Sequence, residues 1–333
     1  MGPLAERLGV IVGAALACAL LAAVMARGLT PALALVPLAA LPILIVTLGW
    51  SVGDGLAATV LATLVTSGLL GMPMGPLAAY ALALPALALG AVWWAPTSLF
   101  HRSASALAMP SRGPSPGQLG MAAAAIVSIT AMSGVAFLLI SLGGVKPAQD
   151  YVAEKVGALL ALLPEGAIMA ANPAELHNSI ALLVHDLPLS GAELGTAFLL
   201  INLYIAARAV AFSGRLTRPW VDLPTGFRLP VWMIAVFIVA LAAAIYLPDG
   251  LDAAPWVIVG ALGCLYFFLG LATLHALTRG AMIRPFALVG LYFALLIEQD
   301  WIPRIIALIG LLESAVSART RFAAPSSTPP KAT

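Results

Sequence analysis

The chain has 333 residues, of which 62% are hydrophobic and only 9% charged, with a mean hydropathy of +1.05 and a formal net charge of +2. A soluble globular chain carries roughly a quarter charged residues, so this composition excludes a water-soluble domain and leaves an all-α polytopic membrane protein whose fold answers to the bilayer. Its two cysteines, Cys18 and Cys264, fall inside apolar runs, where they act as small apolar residues and imply no disulfide or metal framework.

The first apolar run, 8–26, follows a weak signal-like head of Glu6 and Arg7 and a poor cleavage site, and reads as an uncleaved first helix. Ala15, Ala19 and Ala23 form an every-fourth stripe that permits close helix approach, although so alanine-rich a chain makes such spacing by chance. A second span at 32–50, with Pro31, Pro37 and Pro42, is expected to be broken or kinked. Next come spans at 56–71, at 76–98 with Pro85 inside it, and at 119–141.

The segment 142–193 interrupts this pattern with six acids against Lys146 and Lys155. Within it "DYVAEKVGALLALL" and "NPAELHNSIALLVHD" have helical apolar spacing, the second opening with Asn172 as cap and Pro173 at the first helical position. Two amphipathic helices lying on the outer surface are expected. Further spans follow at 194–212, 229–247 and 256–276, then two short runs at 285–297 and 303–317. These last are under the ~20 residues of a perpendicular crossing, so they form either two short spans or a re-entrant hairpin. In the re-entrant case Glu298, Asp300 and Arg304 would be intramembrane charges.

About eight to ten spans result. They divide into an N-terminal transmembrane half of about five helices (1–141), an acidic helical insertion (142–193), a C-terminal transmembrane half (194–317) and a Pro/Ser-rich disordered tail (318–333). Arg102 and Arg112, Arg215, Arg218 and Arg228, Arg279 and Arg284, and the tail lie in alternate connections, with acids in the others. The positive-inside rule then puts both termini on the cytoplasmic side of a bacterial inner membrane.

Chemistry-bearing residues are sparse. "AMSGVA" around Ser133 lacks the glycines of a nucleophile elbow, and there is no phosphate-binding glycine loop or metal-spaced His or Cys set, so no catalytic, metal or cofactor site is implied and the chain reads as a non-enzyme. Two residues are candidates for ligand binding. Asp54, in "LGWSVGDGLAAT", is either a helix cap or a contact to a cation or substrate. Asn202, in mid-span, needs a partner, which is either another helix or a ligand. Arg208, Arg215, Arg218 and Trp220 are candidates for the lipid interface. The first lies within reach of the headgroups by snorkelling, and the others suit anionic lipid phosphates or simply set topology.

Several stretches, "LGWSVGDGLAAT", "GPLAAYALALPALALGAVWW", "NLYIAARAVAFSGRLTRPW", "RLP", "LYFFLGLATLHAL" and "LIGLLESAVSAR", resemble the YybS-like family of bacterial multipass membrane proteins over about residues 8 to 320. That family is of unknown function, with a fold grouped with the substrate-binding membrane subunits of energy-coupling-factor vitamin transporters. The resemblance implies a small-molecule binder working with partner subunits. The chain departs from such subunits in having more than six spans and a long acidic insertion. The leading expectation is a transporter-like protein that binds or moves a small or lipidic molecule; the alternative is a non-catalytic scaffold or assembly factor. Expected partners are anionic lipid headgroups and a membrane protein, with no nucleic acid.

Overall fold

In a computed structural model, residues 3–26, 35, 38–72, 74–95, 114–160, 173–218, 220, 222–248 and 250–316 are described, and no strand occurs among them. Asn172, Arg102, Arg112, Pro31, Pro37 and the tail lie outside the described residues. Six helices are long and apolar enough to cross a membrane, which makes the protein an all-α multipass bundle.

The chain runs through α1 (Pro3–Ala26), α2 (Leu41–Gly49), α3 (Val52–Leu70), α4 (Met74–Ala78), a π-helical turn (Ala79–Ala83) and α5 (Leu84–Trp94). It continues through α6 (Pro116–Leu142), α7 (Val145–Leu160), α8 (Pro173–Phe212), α9 (Leu223–Gly226), α10 (Trp232–Tyr246), α11 (Ala253–Leu277), α12 (Arg284–Ile297) and α13 (Trp301–Val316). The π turn is placed by Pro85. Proline carries no N–H for the carbonyl four residues back, and the helix relieves the mismatch by widening just before it.

Three expectations change. Among the described residues the second span contains a nine-residue helix, and α10 has only 15 residues, short of a full perpendicular crossing. The second surface helix and the sixth span are one 40-residue helix that runs through Pro188 without a break. At 1.5 Å per residue α8 is about 60 Å long, twice the ~30 Å hydrocarbon core. Its first half therefore projects from the bundle with α7 packed beside it. The boundary drawn at residue 193 is thus not a break in the backbone.

Two apolar cores hold the bundle together. One joins α1, α2, α3, α5 and α8 around Leu44, Leu48, Leu89, Leu203 and Val210. The other surrounds α11, the most buried of the six long helices, with Phe227, Met233, Leu265, Tyr266 and Leu269. The membrane half of α8, residues 194–212 assigned by sequence to the C-terminal half, contributes Leu199, Leu203, Ala206, Ala207 and Val210 to the first core while α8 also packs along α11, and Val127 on α6 and Leu200 on α8 touch both cores.

Small residues set the closest approaches, as expected where lipid is as apolar as the interior. A Cβ on Gly310 of α13 would lie 1.9 Å from the Tyr266 carbonyl oxygen of α11, and one on Gly270 would lie 1.9 Å from that of Ile306. Ala15 and Ala19 are fully buried, Ala15 in the first core with Ala58 and Ala62, while Ala23 is half-buried, so the first two residues of the stripe lie on the packing face of α1.

The helix ends gather by charge. Arg7, Arg215, Arg218, Arg228 and Arg279 belong to the end where α1, α3, α6 and α10 begin and α5, α8 and α11 finish. The Ser314 hydroxyl donates to the Leu229 carbonyl at the start of α10, which brings the end of α13 to this same basic end. The turn between α12 and α13 therefore points the other way. There Glu298 is half-buried and Asp300 and Arg304 are exposed, with Arg304 and Asp300 4.0 Å apart.

Candidate functional site

Asn202 lies ten residues before the end of α8, about 15 Å from the basic end and so close to the centre of a ~30 Å core. It is 1% exposed. Its Nδ2 donates to the Phe198 carbonyl four residues back at 2.7 Å. Beside it opens a cavity of about 310 Å³ between the π turn, α6 and α8. Tyr80, projecting from the π turn, lines this cavity with Pro85, Thr130 and Gly195. The Tyr80 hydroxyl donates to the Thr130 carbonyl and lies 2.6 Å from the Ser133 hydroxyl, which stands behind the wall, so the apolar chamber carries one phenol as well as an amide.

A second hollow of about 280 Å³ lies toward the acidic end, where α7 and the projecting half of α8 meet α6 and the start of α11. Gln149, His185, Asp252 and Trp256 supply its polar atoms. Asp252 is fixed by the Gly250 N–H at 2.8 Å. The two hollows share two wall residues, Ala131 on α6 and Gly191 on α8. Gly191 is 21 residues from the end of α8, about 32 Å, which places the junction near the outer edge of the hydrocarbon. Gly191 is exposed, and a Cβ there would meet nothing within 4 Å.

Asp54 is elsewhere, at the basic end. Ser51, not Asp54, is the N-cap of α3, and its hydroxyl accepts from the Asp54 N–H at 3.1 Å and donates to the Asp54 carboxylate at 2.7 Å. Arg7 completes the set with an ion pair of 3.0 Å. Asp54 is thus the third helical residue of a cap, in the favourable position for a negative charge, and it does not line the chamber with Asn202.

The interface residues also separate. Arg208 is exposed on the helix surface. Arg215 pairs with Glu6 and lies over the Trp50 ring, 4.6 Å from its centroid. Arg218 donates to the Trp93 carbonyl at 3.0 Å, and Trp220 stacks on Trp93 with ring centroids 5.7 Å apart. The sequence reading missed Tyr80, Gly191 and Trp93. Only Tyr80 left a signal, as the one polar side chain in "AAYALALPALALG".

No family model, curated protein or solved structure matches this chain. Among the described residues no group of three or more His, Cys, Asp or Glu could hold a metal ion.

Proposed function

We propose that this is a transporter-like inner-membrane protein that binds or moves a small, mainly apolar molecule bearing one or two hydrogen-bonding groups. The carrying observation is the mid-membrane chamber lined by both Asn202 and Tyr80. Its 310 Å³ falls at the low end of the roughly 300–1,000 Å³ of ligand pockets, which suits a small metabolite or one lipid chain rather than a whole phospholipid. The shared wall at Ala131 and Gly191 supports access from the acidic end. The basic end is the cytoplasmic one under the positive-inside rule.

Native mass spectrometry of the detergent-purified protein tests this reading. The wild type is expected to carry a copurifying small molecule, and Asn202→Leu to lose it while keeping a wild-type melting profile. An empty wild type, or a variant that keeps the molecule, would overturn the proposal. The scaffold alternative draws on α12, which buries none of its residues against the rest of the chain. It predicts instead a stable protein partner in the same spectrum.

A further inference from the structure

At the basic end the carboxylates of the connecting segments are already held. Glu6 is taken by Arg215, Asp54 by Arg7 at 3.0 Å, and Asp222 by Arg279 through both carboxylate oxygens at 2.8 Å. Arg218 is left with no carboxylate among the described residues. It is half-buried, and its one protein acceptor there is the Trp93 carbonyl at the end of α5. A guanidinium has five N–H donors, so most of its capacity is unspent.

The two indoles beside it are in the same condition. Trp93 is 3% exposed, and neither its Nε1 nor that of Trp220 has an acceptor among the described residues. Their stacked rings form a rigid apolar wall beside the half-buried guanidinium, whose unspent donors suit an anionic acceptor. On its other side Trp220 walls a hollow of about 200 Å³ with Leu200, Tyr204, Leu223, Phe268 and Ala272. Tyr204 stands edge-on to Trp220 at 6.4 Å. Cation, stacked indoles and apolar slot are linked through Trp93 and Trp220.

We propose that this arrangement is a binding site for one anionic phospholipid of the leaflet at the basic end. Arg218 holds the phosphate beside the stacked rings of Trp93 and Trp220, and an acyl chain fills the slot that Trp220 walls. The headgroup role that the sequence spreads over Arg208, Arg215 and Arg218 narrows to Arg218, because Arg215 is engaged by Glu6 and Arg208 stands away from any described hollow. The site is separate from the Asn202 chamber and stands or falls independently of it.

The test reconstitutes the protein in nanodiscs of equal phosphatidylglycerol and phosphatidylcholine and then reads retained lipid by native mass spectrometry. The wild type is expected to keep one phosphatidylglycerol about fivefold over phosphatidylcholine, the preference that one arginine near the surface supplies. Arg218→Gln should bring the ratio to the bath value, Arg218→Lys should keep it, and Arg208→Gln should leave it unchanged. Ala272→Trp, which fills the slot, should remove the retained lipid of either kind. Retention in the bath ratio by the wild type, or a bound free phosphate in place of a lipid, would overturn the site. So would phosphatidylglycerol retained by Ala272→Trp, a result that decides the matter even if Arg218→Gln does not fold.

Discussion

Replacing Gly191 by leucine probes the junction of the two hollows directly. The new side chain enters open space, since no atom lies within 4 Å of its Cβ position. Removing a helical glycine favours folding by roughly 0.5–1 kcal/mol, so the variant should melt at or slightly above the wild-type temperature. Four added carbons, each near the ~30 Å³ share of a water, withdraw on the order of 100 Å³ from a junction between hollows of 280 and 310 Å³. A ligand that passes or spans the junction then meets a steric block, expected to lower occupancy by about tenfold or more, equivalent to ~1.4 kcal/mol. The assay is native mass spectrometry of the copurifying molecule beside a melting curve. Gly290→Leu on α12 serves as control, since it too has nothing within 4 Å but lies away from both hollows. Unchanged occupancy in a folded Gly191→Leu protein would refute the connected-chamber reasoning, as would an equal loss in the control.

Gly310→Val should strip α13 from α11. Its Cβ would lie 1.9 Å from the Tyr266 carbonyl oxygen, and since backbone cannot yield, a loss of about 3 kcal/mol or more is expected in a detergent melt. Ser51→Ala removes the α3 cap while leaving the Arg7 pair with Asp54, so a loss of about 1 kcal/mol is expected; no change would show that Arg7 alone holds the turn. A periplasm-active reporter should be silent when fused at residue 217 and active at 299, and the reverse pattern would invert the proposed orientation.

Composition and proline placement made much of this molecule readable in advance. Spans at 56–71, 119–141 and 256–276 correspond to α3, α6 and α11, and the alternation of basic and acidic connections matches the two ends of the bundle. Pro85 marked the disturbed helix, but not the π turn that aims Tyr80 at Thr130. Asn202 was visible as an amide in an apolar run, while the chamber beside it was not, because its walls come from residues 40, 80–85, 127–134 and 191–202. Asp54, legible as either a helix cap or a ligand contact, lies in the first turn of α3 against the Ser51 cap, and its pairing with Arg7, 47 positions away, had no local mark.

The sequence by itself determined the solvent, the helices, and which helix ends share a sign of charge, because those depend on length, polarity and local backbone chemistry. The tertiary structure alone decided which face of each helix is interior. In water an apolar stripe identifies the buried side, but in a bilayer the lipid is as apolar as the core, and alanine- and leucine-rich helices are hydrophobic all round. Burial of Ala15 and Ala19, the crossing of Gly270 and Gly310, the junction at Gly191 and the sharing out of arginines among carboxylates all follow from close packing and long-range pairing. Neither leaves a periodic mark along the chain.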